Sequence, residues 1–336
     1  MKLVTFSGTK NGPQRVGAFV NGDASVIDLQ NAHQAGWKQE TPYFSSVLAL
    51  LEGGPDALDL AYETVKLAET INERILPRDS VILSAPIPRV PQIRDFLCFE
   101  KHLLQGFAAA RKVRAQGADD PEAAYREMDE KGILMVPQTW YERPIFYHPN
   151  RLNIVGTETD IAWPSYSNQL DFELEFGCFI GRKGKDIGRD EASDHIAGYA
   201  IFNDISARDE QMKEMPGQLG PGKGKTFDAA NVIGPCLVTA DELKDPYNLD
   251  MAVRVDGEEW GRGNTRDMHW KFEDCIAHVA RSETLHTGEF LGSGTVGNGC
   301  GLEQMRFLKP DSVVEMEVEG IGLIRNRVVG TPPNAT

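Results

Sequence analysis

Between Asp171 and Gly177 apolar and acidic residues alternate. Phe172, Leu174 and Phe176 fall on one face, and Glu173 and Glu175 fall on the other. A period of two predicts a strand with one buried face. The run from Gly198 to Asp204 is apolar almost to its end and predicts a second strand, which delivers another carboxylate. Ser206-Ala-Arg-Asp209 then reads as a helix start, with Ser206 as N-cap and Asp209 three residues on. On that helix Arg208 and Gln211 share a face.

The same reading gives the N-terminal strands Lys2–Phe6, Arg15–Val20 and Ala24–Leu29, the last two joined through a hairpin at Asn21-Gly22. Residues 44–75 read as helices broken at Gly53-Gly54-Pro55, and Val81–Leu83 as a short strand. Pro86, Pro88 and Pro91 fall close together and read as a linker. The expected organisation is a small N-terminal domain over 1–85 and a larger one over 92–330. Phe96, Phe99 and Leu103 have helical spacing, which would put Asp95 and His102 on nearly the same side of one helix. Residues 105–132 are polar and helical, either a lid or a solvated insertion. Short strands are expected at Asn153–Val155 and Asp160–Trp163. Further strands are Val232–Val238, Ala252–Val255, Glu259–Arg262, Val313–Val318 and Leu323–Val329, with a helix over Lys271–Ser282. Gly292-Ser-Gly294-Thr295 is a turn suited to close backbone approach.

A net charge of −15 argues against nucleic acid and anionic membrane surfaces as partners. No stretch reaches transmembrane length, and the first residues lack the apolar run of a signal peptide. None of the five cysteines forms a C-x-x-C pair, so a zinc knuckle or disulfide framework is not expected. Scattered thiols suit a reducing cytoplasm. The Gly/Pro loop from Pro216 to Thr226 is not a phosphate loop, because Leu219 stands where that pattern needs glycine. It is placed to swing Lys225 toward the carboxylates. Three acids and two donors beside a strand end point to a divalent-cation site with a ligand-binding wall. The ordinary alternatives are a solvated Glu-x-Glu face, an Asp favouring a helix dipole and a surface lysine.

Five segments carry a resemblance, in order along the chain: Asp95 to His102, Glu173-Leu-Glu175, Asn203 to Gln211, Gly224-Lys225-Thr-Phe and Gly299 to Glu303. Together they resemble the fumarylacetoacetate hydrolase family from about residue 93 onward. Residues 1–29 resemble its small appended domain more weakly. The resemblance implies a β-rich α+β fold, a mixed β-roll of that family's C-terminal type with a small β-containing N-terminal domain. It implies metal ligation by Asp95, Glu173, Glu175 and Asp204. His102 becomes the water-activating base and Glu303 its orienting acid. Arg208, Gln211 and Lys225 become oxyanion donors, and Arg111, Tyr147 and Thr295 substrate contacts. Three departures stand out. Leu97 replaces a substrate-contacting tyrosine, and Tyr147-His148-Pro-Asn-Arg151 replaces a shorter motif. Gln105 stands where the family's short branch has the Glu of a His-x-x-Glu pair, which favours Glu303 as the partner of His102.

Four carboxylates make a hard site that suits Mg²⁺, Mn²⁺ or Ca²⁺. The expected activity is hydrolysis of a C–C bond in an acidic 1,3-diketone, fumarylacetoacetate or a related acylpyruvate-type ring-cleavage product, by a cytoplasmic homodimer. Two alternatives remain open. One is a lyase, a β-keto acid decarboxylase or sugar-acid dehydratase, on the same metal. The other is a metal-stabilised binding module, which the presence of both His102 and Glu303 argues against.

Overall fold

The computed structural model describes residues 1–71 and 74–333. Alternating apolar residues build β1 (Lys2–Ser7), β2 (Arg15–Val20) and β3 (Ser25–Asp28). Asn21 and Gly22 take φ of 54° and 64° between β2 and β3, the backbone that a tight hairpin demands. Three helices follow: α1 (Leu29–Trp37), α2 (Val47–Glu52) and α3 (Gly54–Ile71). Asp28 caps α1 and Ser46 caps α2, each accepting from a backbone N–H three residues on. Residues 72–73 of the expected helical stretch lie outside the described residues. β4 (Ile75–Pro77) then pairs with β3.

The remaining chain supplies β5 (Ile93–Phe96), α4 (Glu100–Ala115), α5 (Pro121–Glu130), α6 (Gln138–Glu142) and β6 (Phe146–Tyr147). The central strands are β7 (Leu174–Ile180), β8 (Ile196–Asp204) and β9 (Asn231–Thr239), with α7 (Arg208–Glu214) between the last two. β10 (Asp250–Val255), β11 (Glu258–Asn264), α8 (Phe272–Val279) and β12 (Phe290–Gly292) come next. α9 (Gly301–Gln304), β13 (Val313–Val318) and β14 (Gly322–Val329) complete the order.

One twelve-stranded sheet runs β4-β3-β2-β1-β9-β8-β7-β12-β5-β6, with two short strands pairing off β1 and β9. β1 lies antiparallel to β9, with Lys2 opposite Val238. The N-terminal strands therefore continue the sheet that carries β7 and β8. Around the proline-rich stretch, Ala85, Ile87 and Val90 are buried in a core that also holds Leu3, Ile27, Phe179, Phe202 and Phe290. β7 and β9 are buried along their whole length. Strands covered on both faces read as apolar runs rather than alternations. A second sheet of five strands runs β11-β10-β13-β14 and ends on the short strand Ile161–Ala162. Phe176 of β7 meets Phe272 of α8 edge-on at 5.0 Å. The architecture is β-rich α+β, with mixed sheets and packed helices. No helix among the described residues is long and apolar enough to cross a membrane.

Two local expectations fail. Asp95 and His102 do not share a helix: Ile93–Phe96 is a strand, and α4 begins only at Glu100. All four residues of β5 are buried between β12 and β6, so no alternation marks them as a strand. Ser206 is not an N-cap either. Ser206–Ala207 pairs with Leu170–Asp171, and α7 starts at Arg208. The Ser206 hydroxyl donates to the Asp204 carbonyl at 3.0 Å, and Asp209 binds Ser167 and Asn168 instead.

Candidate active site

The site gathers at one end of the central strands. β8 ends on Asp204, and β7 contributes Glu175. Glu173 precedes β7 and forms an isolated antiparallel bridge with Cys300. Asp95 arrives through β12: Gly292 pairs with Asp95 on one side and with Gly177 of β7 on the other. Gly294 lets the following turn pass close. Its φ is 74°, and a Cβ there would lie 2.2 Å from the Phe96 carbonyl. Its N–H donates to Asp95 Oδ1 at 3.2 Å. The close approach expected of this turn is thus made by the protein's own backbone.

Oxygens of Asp95, Glu175 and Asp204 lie within 4.8 Å of one another, and all three residues are buried. Burial pushes the Asp95 carboxyl well up, and the Asp204 charge adds to it. Glu175 is pushed well up by burial and by Asp95, Glu173 and Asp204. Asp204 is raised too, chiefly by burial, although Lys225 opposes the shift. Glu175 Oε2 and Asp204 Oδ1 find no hydrogen-bond partner among the described residues. Buried like charges without partners are costly, and a cation that prefers oxygen ligands resolves both problems. The donor set therefore fits a divalent cation. Thr295 supports the group by donating to Glu175 Oε1 at 3.4 Å.

Glu173, the fourth expected ligand, is held differently. Arg208 Nη2 lies 2.8 Å from its Oε1, and Lys225 Nζ contacts Oε2. Burial opposes its ionisation, but Lys225, Arg208 and His102 together outweigh that and hold its carboxyl at about 2. Lys225 also reaches Asp204 Oδ2 at 2.5 Å. The Tyr147 hydroxyl donates to the same oxygen at 2.7 Å, and Gln211 Oε1 accepts from Arg208 Nη1 at 2.9 Å. Burial, then the charges of Asp204 and Asp95, push the Tyr147 phenol well up, so it stays a donor.

His102 of α4 and Glu303 of α9 meet across 201 residues, Nδ1 to Oε1, at 2.7 Å. Glu303 is almost fully buried, while the imidazole keeps 12% of its surface open. Because the carboxylate can only accept, Nδ1 carries the proton and Nε2 is left as the basic nitrogen.

Arg111 does not join these groups. Its guanidinium donates to the Leu134 carbonyl at 2.7 Å, pairs with Asp129 at 3.0 Å and lies over the Tyr125 ring. Residues 116–137 provide those partners, so Arg111 ties α4 to α5 instead of facing the carboxylates.

Asp171 belongs to the site and went unread in the sequence. Its Oδ1 accepts from Phe172 N–H at 2.9 Å and Gly301 N–H at 2.8 Å. Its Oδ2 accepts from Leu302 N–H at 2.9 Å and Arg208 Nε at 2.7 Å. One buried carboxylate thus fixes both the helix that carries Glu303 and the arginine that faces Glu173. Gly301 is required here, since a Cβ would lie 1.9 Å from the Arg306 carbonyl and 2.6 Å from Asp171 Oδ1. Asp171→Asn replaces one acceptor by a donor facing donors. It is expected to destabilise the fold by about 3–5 kcal/mol, the usual effect of breaking a buried ion pair. Thermal denaturation measures this; an unchanged midpoint would show that the four contacts are energetically idle.

Residues 118–329 match the family model described as fumarylacetoacetate (FAA) hydrolase C-terminal. Over 330 residues the chain is 32% identical to a mitochondrial oxaloacetate tautomerase of Xenopus laevis, covering 98% of this chain and 90% of that protein. A mitochondrial oxaloacetate tautomerase of Rattus norvegicus is also 32% identical, over 98% of this chain and 92% of its own. Among solved structures, fumarylacetoacetate hydrolase from Exiguobacterium antarcticum aligns with a TM-score of 0.68 at 23% identity, over 98% of this chain and 99% of that one. Maleylpyruvate hydrolase from Sphingobium sp. SYK-6, in complex with manganese(II) and pyruvate, aligns at 0.67 with 20% identity, over 98% and 100%. At such identities the two structures speak for the fold, and the matched family model carries the assignment: the chain belongs to the fumarylacetoacetate hydrolase family.

Proposed function

We propose that this protein is a divalent-metal-dependent hydrolase that cleaves a C–C bond in an acidic 1,3-diketone. The observation that carries the proposal is the 2.7 Å contact between His102 and Glu303 beside the buried carboxylates. Asp95, Glu175 and Asp204 would hold an ion of the Mg²⁺ or Mn²⁺ type. Bound there, it would supply positive charge to the two oxygens of a 1,3-dicarbonyl compound. The manganese and pyruvate bound by the maleylpyruvate hydrolase support that choice of ion and substrate class.

His102 Nε2 takes a proton from water as the water oxygen attacks one carbonyl carbon. Glu303 steadies the ring and the imidazolium that forms. The C–C bond then breaks, its electron pair stays with the departing carbon, and the proton held by His102 is returned to that carbon. Lys225 has three N–H donors, and two are used on Glu173 and Asp204. The third is left for the oxyanion of the attacked carbonyl. Arg208 is occupied by Asp171, Glu173 and Gln211, so it acts by fixing Glu173 and not by touching substrate.

A second reading has its own support. Two relatives that align over 98% of this chain at 32% identity are oxaloacetate tautomerases. The same base and the same cation could move a proton between carbon and oxygen without water attack. The two readings separate on products. Purified protein with Mg²⁺ is incubated with fumarylacetoacetate and simple acylpyruvates, and the carboxylic acids released are measured by chromatography. In parallel, enol-oxaloacetate is followed by its ultraviolet absorbance. Two acids per diketone consumed is the expected result. If no acid is released while the enol of oxaloacetate decays faster than in buffer, the tautomerase reading replaces the hydrolase. Release of carbon dioxide and pyruvate from oxaloacetate would restore the decarboxylase.

A further inference from the structure

Beside the all-oxygen group lies a softer one. Cys300 sits immediately before α9 and is fully buried. Its sulfur, one imidazole nitrogen of His102 and one carboxylate oxygen of Glu303 all lie within 4.8 Å of one another. We propose that His102, Cys300 and Glu303 form an inhibitory site for a borderline or soft divalent cation of the zinc type, distinct from the site of the activating ion. The inhibitory part rests on reading His102 and Glu303 as the catalytic base; the binding part does not.

Ligand chemistry separates the two sites. A thiolate, an imidazole and a carboxylate with one open position make a set that zinc accepts in tetrahedral geometry. Mg²⁺ and Ca²⁺ prefer oxygen ligands only, so the ion at Asp95, Glu175 and Asp204 does not compete for the sulfur. Zinc–ligand bonds of about 2.0–2.3 Å put the donors of one ion roughly 3–4 Å apart. The 2.7 Å between His102 Nδ1 and Glu303 Oε1 lies just below that range and the 4.8 Å bound on the three donors just above it, so the ring and carboxylate part slightly while the sulfur draws in. The frame around them is stiff: Asp171 anchors the start of α9, and Cys300 is bridged to Glu173. The partly open face of His102 leaves a route in and a place for the fourth ligand.

Charge also balances. On coordination the Cys300 thiol gives its proton to solvent, and bonds form from sulfur, nitrogen and oxygen to the metal with no change of oxidation state. Thiolate and carboxylate then cancel the two positive charges of the ion, so a buried site gains no net charge. The proton that His102 shares with Glu303 is displaced to the other ring nitrogen. The base thus loses its free nitrogen, and the acid that orients it is occupied by metal.

The test uses full-length protein saturated with Mg²⁺. Zinc alone is titrated against a chromophoric chelator to count bound ions, and Co²⁺ is used to read thiolate ligation from its near-ultraviolet charge-transfer band. One zinc per chain is expected in the presence of Mg²⁺, with the cobalt band and loss of diketone hydrolysis at the same stoichiometry. Cys300→Ser, and Cys300→Ala in case serine still ligates, should abolish the band and weaken zinc binding by at least about 10²-fold. Both should keep the Mg²⁺-dependent rate measured without zinc. Cys98→Ser is the control, because the Cys98 and Cys275 sulfurs, 3.8 Å apart, are the other soft pair. Its band should remain. The proposal is overturned if no zinc binds beside Mg²⁺, if the band survives in the Cys300 variants, or if zinc inhibits them as strongly as the parent. The last result would place the inhibiting ion among the three carboxylates. Should no diketone be hydrolysed at all, the functional reading fails, while ion counting and the cobalt band still decide the site.

Discussion

His102→Ala, Glu303→Gln and the double variant are all expected to lose roughly 10²–10⁴-fold in hydrolytic rate, the range of a positioned general base. The double should be no slower than the more impaired single. Glu303 touches the reaction only through the ring: its Oε1 lies 2.7 Å from His102 Nδ1, and its Oε2 accepts from the Cys300 N–H at 3.5 Å. Without the imidazole it has nothing left to orient, so groups acting as one unit give losses that do not multiply. Single-turnover rates with a diketone substrate measure the cycle. Multiplying losses would give Glu303 a separate role. If His102→Ala kept most of its activity, His102 would not be the base, and both water activation and the proton-transfer reading that shares this base would fall.

Removal of divalent ions is the second large effect. Treatment with EDTA should abolish turnover, and Mg²⁺ or Mn²⁺ should restore it. Glu175→Gln sharpens the test because two observables move in opposite directions. Glu175 carries an unpartnered buried oxygen and faces three other acids. Making it neutral relieves repulsion in the ion-free protein, where like charges held out of water oppose folding. The ion-free variant should therefore melt higher than the ion-free parent. The parent should gain stability from added Mg²⁺ in proportion to ligand binding, while the variant gains little and stays inactive. A variant that bound Mg²⁺ and turned over like the parent would show that Glu175 is not a ligand.

Much of this site was legible in the chain, for identifiable reasons. The Phe172–Phe176 alternation pointed to a strand, but that strand begins only at Leu174, and its acidic side is not solvated: Glu173 and Glu175 are buried too, because they face the site and not water. Asp204 was readable because an apolar run ended on it. The helical reading of Asp95 failed because β5 is covered on both faces and its neighbours are Phe290–Gly292 and Phe146–Tyr147, distant in sequence. The pairing of His102 with Glu303 came from resemblance, since no local pattern links positions so far apart. Asp171 stayed hidden for a related reason. Its partners lie 37 and 130 residues downstream, so it looked like an ordinary acidic residue at the start of a strand. Arg111 was likewise out of reach of local pattern. The resemblance implied a substrate contact, and in this structure the guanidinium is held by Asp129 and the Leu134 carbonyl, 18 and 23 residues downstream.

The order in which the sheet is stitched has a consequence for how the protein comes into being. Asp95 reaches Glu175 only because β12 inserts between β7 and β5. A nascent chain that has not yet emitted residues 290–292 lacks the strand that brings the two acids side by side. The partner of the base, Glu303, emerges later still. Contacts between distant segments form late, after the entropy of closing long loops has been met. The three buried carboxylates are therefore brought together only once β12 has joined the sheet, where the hydrophobic contacts of β7, β8 and β9 hold like charges side by side.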